Sequence, residues 1–194
     1  MRLYGTYTSP FVRRVRIVAM ELGEPVDLVQ AHTPAGDAEL RAITPLWKVP
    51  VAVFHGETLF DSRVICEQLV ATRGSGALRP TSPADRNVIT VADDAADSAI
   101  NWFYLVRRDG GDPAQPYLVK QMARVESALE WLAARLQGAS FDPAGELGFA
   151  EISLLTTLEW MAYRNVHPVR EHPVLGAFMA AWAERPAVLA TRPP

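Results

Sequence analysis

The chain has 194 residues, of which 49% are hydrophobic and 21% charged, and its formal net charge is -3 at pH 7. This composition predicts a globular protein with a sizeable core, and its acidic balance argues against a nucleic-acid binder held by bulk electrostatics. No apolar run approaches the roughly 20 residues of a membrane span, and the amino terminus enters a strand-like segment rather than a signal peptide, so we expect a cytoplasmic protein. The single cysteine, Cys66, excludes internal disulfides, and the four histidines lack metal-ligand spacing, so no metal is expected.

Short strand-like and helical segments alternate in the first 80 residues. Helices are predicted after Ser9, around Asp37 to Ala42, and after Asp61. The strand-like pieces between them are residues 2–5, 26–30, 51–54 and 58–60. Such alternation predicts an α/β domain.

The pattern changes after a stretch rich in Gly, Pro and Ser that extends from Arg73 to Pro83, which is typical of a linker. Beyond it, helical periodicity dominates, with helices predicted over residues 83–108, 116–136, 149–163 and 173–184. The sequence therefore predicts two domains, an α/β domain over residues 1–77 and an all-helical bundle over residues 84–194.

The first helix begins with a strong capping signal. Ser9 is a preferred N-cap residue, and Pro10 suits the first helical position because its missing N–H would have no intrahelical partner. The free N–H groups and partial positive charge of a helix start favour an anion such as a thiolate. Taken alone, the pattern indicates a cap before it indicates chemistry.

Two further features of the first domain present backbone polar groups. Pro50 stands at the start of a predicted strand, where it marks a strand edge, a strand entry or a special turn. Asp61 and Ser62 are N-cap residue types at the start of the third helix. Together with Ser9, these features can bind a small zwitterionic, anionic ligand.

Taken jointly, these motifs carry a family resemblance. Tyr7 to Phe11, Lys48 to Pro50 and Asp61 to Ser62 resemble, in order and spacing, the glutathione S-transferase family, and Trp182 to Val188 resembles the end of its helical domain. Within the family the chain is most similar to bacterial serine-type members with few assigned substrates. The resemblance extends over essentially the whole chain.

The resemblance implies a thioredoxin-like domain that binds glutathione as a co-substrate. The hydroxyl of Ser9 is expected to donate a hydrogen bond to the glutathione sulfur and so to be the catalytic group. The backbone of Val49 is expected to pair with the cysteinyl part of the tripeptide, and Pro50 is expected to be the cis-proline of the family. The remaining glutathione contacts implied are Asp61 and Ser62 for the γ-glutamyl amine and carboxylate, Lys48 for a carboxylate, and Phe11.

The resemblance also implies a pocket for a hydrophobic electrophile in the helical domain. Its expected residues are Trp102, Phe103 and Tyr104, with Met161 and Tyr163 as further candidates, although an aromatic run on a helix also fits a bundle core. The helix that carries Trp102 and the helix after Asp61 are expected to form the interface of a homodimer. No nucleic-acid or membrane partner is expected.

Several alternatives remain open at the level of sequence. Tyr7 is a rival to Ser9, since other branches of the family use a tyrosine hydroxyl near the end of the first strand. Trp47 stands where many relatives carry glycine, and Asp61 replaces the commoner glutamate. The protein is interpreted as a detoxifying enzyme that conjugates glutathione to an electrophile, or uses it to reduce one, or alternatively as a non-catalytic binding or regulatory member of the family.

Overall fold

The computed structural model describes residues 1–194. It divides into two compact units. The first comprises Met1–Arg79 together with Glu184–Pro194, and the second comprises Pro80–Ala183.

The first unit is built on a mixed sheet of four strands. These are β1 (Arg2–Gly5), β2 (Asp27–Gln30), β3 (Val51–Phe54) and β4 (Glu57–Leu59). Their order is β2-β1-β3-β4, with β1 parallel to β2 and antiparallel to β3, and with β4 antiparallel to β3. The two central strands supply the core residues Leu3, Tyr4, Val51 and Ala52.

Three helices accompany the sheet, namely α1 (Pro10–Glu21), α2 (Pro34–Ile43) and α3 (Ser62–Arg73). Helix α1 connects the parallel strands β1 and β2, as a parallel pair requires. Helix α2 is longer than predicted because Thr33 caps it, accepting a hydrogen bond from Gly36 N at 3.1 Å, and Pro34 occupies its first position. The predicted α/β thioredoxin-like domain is confirmed.

The second unit contains only helices, as predicted. These are α4 (Pro83–Trp102), α5 (Pro116–Ala133), α6 (Phe149–Tyr163) and α7 (Pro173–Trp182), with a π-helical segment over Phe103–Arg108. Helix α4 packs against both α5 and α6, and α6 is buried from Ala150 through Met161. The sequence predicted one continuous helix to residue 108, but its last six residues have π-helical hydrogen bonding.

A buried carboxylate fixes the start of α6. Glu151 is fully buried and accepts hydrogen bonds from Gly148 N (2.8 Å), Phe141 N (2.9 Å) and Ser140 Oγ (2.9 Å). The bond to Gly148 N is the reciprocal half of a capping box, which the glycine cannot complete with a side chain. The loop before α6 supplies the additional donors.

The last residues of the chain fold with the first unit, whereas the sequence placed them in the second domain. Helix α8 (Pro186–Ala190) packs against α1. Arg13, which is 2% exposed, donates to Val188 O at 3.2 Å and to Thr191 Oγ1 at 3.3 Å. Arg185 forms a bidentate pair with Glu21 at 2.7 and 2.8 Å. These contacts involve polar groups that hydrophobic periodicity does not detect.

A second buried carboxylate lies at the amino terminus. Glu24 is 6% exposed and accepts from the Met1 ammonium group at 2.9 Å and from Arg73 Nε at 2.9 Å. Burial raises the pKa of Glu24, but the hydrogen bonds from the amino terminus and Arg73 outweigh burial, and the pKa is lowered overall. Glu24 thus ties the first residue to the end of α3.

This arrangement predicts a pH-dependent loss of stability for Glu24→Gln. At pH 7 the substitution is expected to lower the free energy of unfolding by about 1.5–3 kcal/mol, because charge-assisted hydrogen bonds are lost. A carboxyl group whose pKa is lowered in the folded state stabilises the fold above its unfolded pKa of about 4.3. That contribution disappears as the pH falls through the folded pKa. Urea titrations from about pH 7 down to pH 3 should therefore show the wild type and variant converging.

The matched control is Glu184→Gln, which removes an exposed carboxylate of the same unit. It should leave stability unchanged at all these pH values. A difference between wild type and Glu24→Gln that stays constant with pH would contradict the assignment of the lowered pKa to this hydrogen-bonded group.

Candidate functional site

Ser9 lies at the N-cap of α1, in extended backbone conformation with φ -77° and ψ 126°. Its hydroxyl oxygen accepts a hydrogen bond from Val12 N at 3.3 Å, and the side chain is only partly buried. Gly5, at the end of β1, allows α1 to approach closely, because a Cβ there would lie 2.5 Å from a methyl group of Val12. As Ser9 Oγ accepts from the backbone, its own proton remains available for donation to a ligand.

Tyr7 occupies a different setting two residues earlier. Its side chain is 44% exposed, and the guanidinium carbon of Arg16 lies 5.1 Å from the centre of its ring. Tyr7 stands in the turn between β1 and α1 and does not cap the helix. Its hydroxyl therefore lacks the helix-terminal position that Ser9 holds.

The segment before β3 combines a buried proline with an exposed loop. The Val49–Pro50 peptide bond is cis, Pro50 is buried, and Val49 packs against the core of Tyr4, Leu40 and Val51. Lys48 is exposed.

Trp47 has a backbone conformation that is typical of glycine. Its φ of 51° lies in the left-handed region that favours glycine. The side chain is 59% exposed, with the Arg41 guanidinium carbon 4.5 Å from a Trp47 ring centre. The loop therefore keeps a glycine-like backbone but presents a bulky aromatic group to solvent.

The start of α3 places one carboxylate at the surface and one hydroxyl in the interior. Asp61 is exposed and is the N-cap, with its Oδ1 accepting from Arg63 N at 2.8 Å. The Phe60–Asp61 peptide bond is also cis. Ser62 is 3% exposed, and its Oγ accepts from Arg14 Nη1 at 3.4 Å.

The sequence did not predict that Arg14 contacts residues of the candidate site. It is fully buried on α1, and its guanidinium carbon lies 5.1 Å from the ring centre of Phe11. Arg14 thereby links two of the predicted glutathione contacts, Phe11 on α1 and Ser62 on α3. Its burial could have been predicted from its spacing in the sequence, because Arg14 shares the apolar helix face of Phe11, Val15 and Val18.

The predicted electrophile residues of the second unit have mixed environments. Phe103 forms edge-to-face contacts with Tyr104 and Trp160, at centroid distances of 5.6 and 5.7 Å. Tyr104 is 45% exposed and Trp102 is partly buried. Met161, in contrast, is fully buried and serves as a core residue of α6, so it lacks the exposure that a pocket wall needs.

A separate open cavity of about 700 Å³ lies between α4 and α5. Its floor includes the buried polar residues Ser98 and Gln121, and its rim includes Asp94 and Arg124. The predicted electrophile residues do not line this cavity. The groove is consequently a feature of the helical unit distinct from the aromatic segment at the end of α4.

The side chains that commonly bind metals are dispersed over the fold. No cluster of three or more His, Cys, Asp or Glu side chains is arranged to hold a metal ion. Cys66 is buried on α3. None of the helices combines the length and apolar character required to cross a membrane.

Two family models match the chain, and the boundary between them falls near residue 80, as it does in the structure. One, described as the glutathione S-transferase N-terminal domain, matches residues 3–76, and one described as the C-terminal domain matches residues 85–188. The chain belongs to the glutathione S-transferase family. The residues that match the N-terminal glutathione S-transferase domain contain the sheet, and those that match the C-terminal domain contain α4 to α7.

Known glutathione S-transferases and related proteins are similar along most of the chain. The uncharacterized GST-like protein YibF of Escherichia coli is 27% identical over 173 residues, which cover 87% of this chain and 85% of that protein. Glutathione S-transferase D7 of Drosophila melanogaster is 29% identical over 174 residues, covering 83% and 76% of the two chains.

Solved glutathione S-transferase structures extend the similarity to three dimensions. A glutathione S-transferase of Methylobacillus flagellatus with glutathione bound has a TM-score of 0.88 at 28% identity, covering 100% of this chain and 99% of that one. A glutathione transferase family member of Pseudomonas fluorescens with bound glutathione has a TM-score of 0.80 at 27% identity, covering 100% and 98%.

Proposed function

We propose that this protein is a serine-type glutathione transferase that conjugates glutathione to a hydrophobic electrophile. The observation that carries the proposal is the position of Ser9 at the N-cap of α1, with a hydroxyl proton available for donation. Glutathione in two similar solved structures supports the choice of co-substrate. The assignment to the bacterial serine-type branch rests on the same residue.

The energy required for thiol activation is within reach of this arrangement. A thiol with a pKa near 8.5 is only about 3% ionised at pH 7, and lowering that pKa by about two units requires roughly 2.7 kcal/mol. A hydrogen bond to a charged group contributes about 1.5–3 kcal/mol, and a helix N-terminus adds roughly 0.3–1 kcal/mol. Ser9 and the start of α1 can therefore stabilise the thiolate without a general base.

The rest of the tripeptide is assigned to residues of the same unit. Ser62 and Asp61 at the start of α3 would hold the γ-glutamyl carboxylate and amine, and the backbone of Val49 would pair with the cysteinyl group. Lys48 would bind a carboxylate. Phe11 would contribute to the glutathione site through its packing on α1. The bulk of Trp47 would narrow the rim of that site.

Binding of the electrophile is assigned to the aromatic residues Trp102, Phe103 and Tyr104. Partial burial of the first two and 45% exposure of Tyr104 support this, because an apolar ligand needs rings that are fixed in place and still accessible. Edge-to-face packing against Trp160 fixes the ring of Phe103.

We also propose a homodimer that uses α3 and α4. The open groove between α4 and α5 supports an association on α4, because it leaves this surface of the helix accessible to a second copy of the chain. A molar mass near 43 kDa by light scattering is expected, twice the 21.4 kDa of one chain. A mass of one chain across micromolar concentrations would refute the dimer.

The transferase proposal is tested by binding and turnover together. The purified protein should be retained on immobilised glutathione, eluted by free glutathione, and should catalyse its conjugation to 1-chloro-2,4-dinitrobenzene. Retention without turnover of any aryl or alkyl halide would favour the non-catalytic alternative, a binding or regulatory member of the family. The absence of both retention and turnover would refute the proposal.

A further inference from the structure

An aromatic group with one arginine lies where the π-helical segment meets the end of α6. We name it the Phe103 cluster and define it as Phe103, Tyr104, Trp160, Tyr163 and Arg164. The rings of Phe103, Tyr104 and Trp160 are joined by edge-to-face contacts. Tyr104 and Tyr163 are 45% and 42% exposed, so the cluster reaches the surface of the second unit.

Arg164 is held between two of these rings. Its guanidinium carbon lies 5.2 Å from the ring centre of Phe103 and 5.0 Å from that of Tyr163. Its Nε is excluded from solvent and has no hydrogen-bond partner. An arginine side chain next to a helix C-terminus often donates to the last carbonyl groups, but the side chain of Arg164 forms neither a hydrogen bond nor an ion pair with the protein.

This setting favours an anion. A partly desolvated cation attracts a negative charge more strongly than one in water, because the local dielectric is lower. The planar guanidinium also matches a carboxylate in geometry, and the two rings restrict its motion, so less conformational entropy is lost on binding. The terminal nitrogens of Arg164 remain available as donors.

Two further arginines border the same aromatic segment. The guanidinium carbons of Arg107 and Arg108 lie 5.7 Å and 5.4 Å from ring centres of Trp102 and Tyr104 respectively. Both side chains are exposed. The aromatic segment thus carries two exposed cations in addition to Arg164.

We propose that the Phe103 cluster binds an aromatic electrophile that carries a carboxylate or a similar planar anion, with Arg164 as the partner of the anionic group. The proposal rests on the proposed transferase function for the identity of the ligand as an electrophile. The aromatic rings would contact the apolar body of the ligand, and the guanidinium would select its charge.

The reaction with such a substrate is a balanced substitution. The glutathione thiol loses its proton to solvent, and the sulfur electron pair forms a C–S bond at the ring carbon that bears a halogen. The C–Cl bond breaks, and chloride leaves with its electron pair. The carboxylate takes no part in these steps, so it acts only in binding.

The test compares two probes that differ in the anionic group, 4-chloro-3,5-dinitrobenzoate and 1-chloro-2,4-dinitrobenzene. In Arg164→Gln the KM for the benzoate should rise about tenfold or more, the effect of losing one hydrogen bond to a charged group. The KM for the neutral probe should rise by a much smaller factor, so that the ratio of the two KM values increases in the variant. Arg135→Gln is the matched control, because Arg135 also stacks on an aromatic ring, with its guanidinium carbon 3.5 Å from a ring centre of Trp131.

A binding measurement separates this proposal from the proposed function. Titration of 3,5-dinitrobenzoate, followed by quenching of tryptophan fluorescence, requires neither glutathione nor turnover. Saturable quenching that is lost in Arg164→Gln but kept in Arg135→Gln would support the anion site even if no conjugation occurred. Equal quenching in both variants, or an equal rise in KM for both electrophiles, would overturn the inference.

Discussion

Ser9→Ala should reduce conjugation about 10- to 150-fold in kcat/KM, because the thiolate loses one charge-assisted hydrogen bond of about 1.5–3 kcal/mol. The wild-type protein should bind glutathione as a thiolate at neutral pH, visible by its ultraviolet absorbance. In the variant, the pKa of the bound thiol should return towards its solution value of about 8.5. At pH 7 the dissociation constant for glutathione should rise only a few-fold, because the shift of the thiol pKa is linked to binding while the remaining contacts are intact.

The variant also removes the N-cap of α1, and its stability must be measured beside its activity. Loss of the bond from Val12 N to Ser9 Oγ is expected to cost about 1 kcal/mol, too little to unfold a typical domain. Tyr7→Phe is the paired control, since it deletes the rival hydroxyl and leaves the cap in place. Unchanged turnover in Ser9→Ala, with loss of turnover in Tyr7→Phe, would transfer the catalytic role to Tyr7.

Glu151→Ala is expected to destabilise the fold more than either Glu24→Gln or Ser9→Ala. The carboxylate of Glu151 accepts from two backbone N–H groups and from Ser140 Oγ, and it is fully buried. Its removal leaves the two backbone N–H groups without their acceptor, at a cost of about 2–6 kcal/mol for the pair, whereas Ser140 Oγ keeps Glu146 O as a partner at 2.9 Å. This is a large part of the total stability of a typical domain, about 5–15 kcal/mol. Urea denaturation at pH 7 measures the loss.

Two comparison variants identify the origin of that loss of stability. Glu151→Gln keeps one acceptor oxygen and should be less destabilising than the alanine variant. Glu171→Ala removes an exposed carboxylate of the same unit and should be neutral. If Glu151→Ala were as stable as Glu171→Ala, the loop before α6 would not depend on this carboxylate.

The sequence predicted those elements whose signals are local. Ser9 before Pro10 and Asp61 before α3 marked helix starts correctly, because capping residues act within one turn. The two-domain fold class followed from the alternation of short strands and helices and from its end near residue 80. The π-helical segment after Trp102 was missed, since a change from α to π hydrogen bonding leaves no clear mark on hydrophobic spacing.

The contacts that the sequence could not predict join distant residues. Arg14 reads as part of a basic cluster with Arg13 and Arg16, yet it lies in the interior and donates to Ser62, 48 residues later. Similarly, Arg164 reads as a polar residue just beyond α6, and only the fold places it between two rings. Burial of a charged group depends on which elements pack over it, and no local pattern encodes that.

The packing of α8 on α1 makes the sheet-containing domain discontinuous along the chain. Arg13 donates hydrogen bonds to residues 175 and 178 positions later. A fragment cut at the linker would therefore leave a guanidinium group without these acceptors and an apolar surface of α1 uncovered. Chimaeras that exchange the sheet-containing domain between relatives need to transplant residues 184–194 together with residues 1–79, because the two segments form one compact unit.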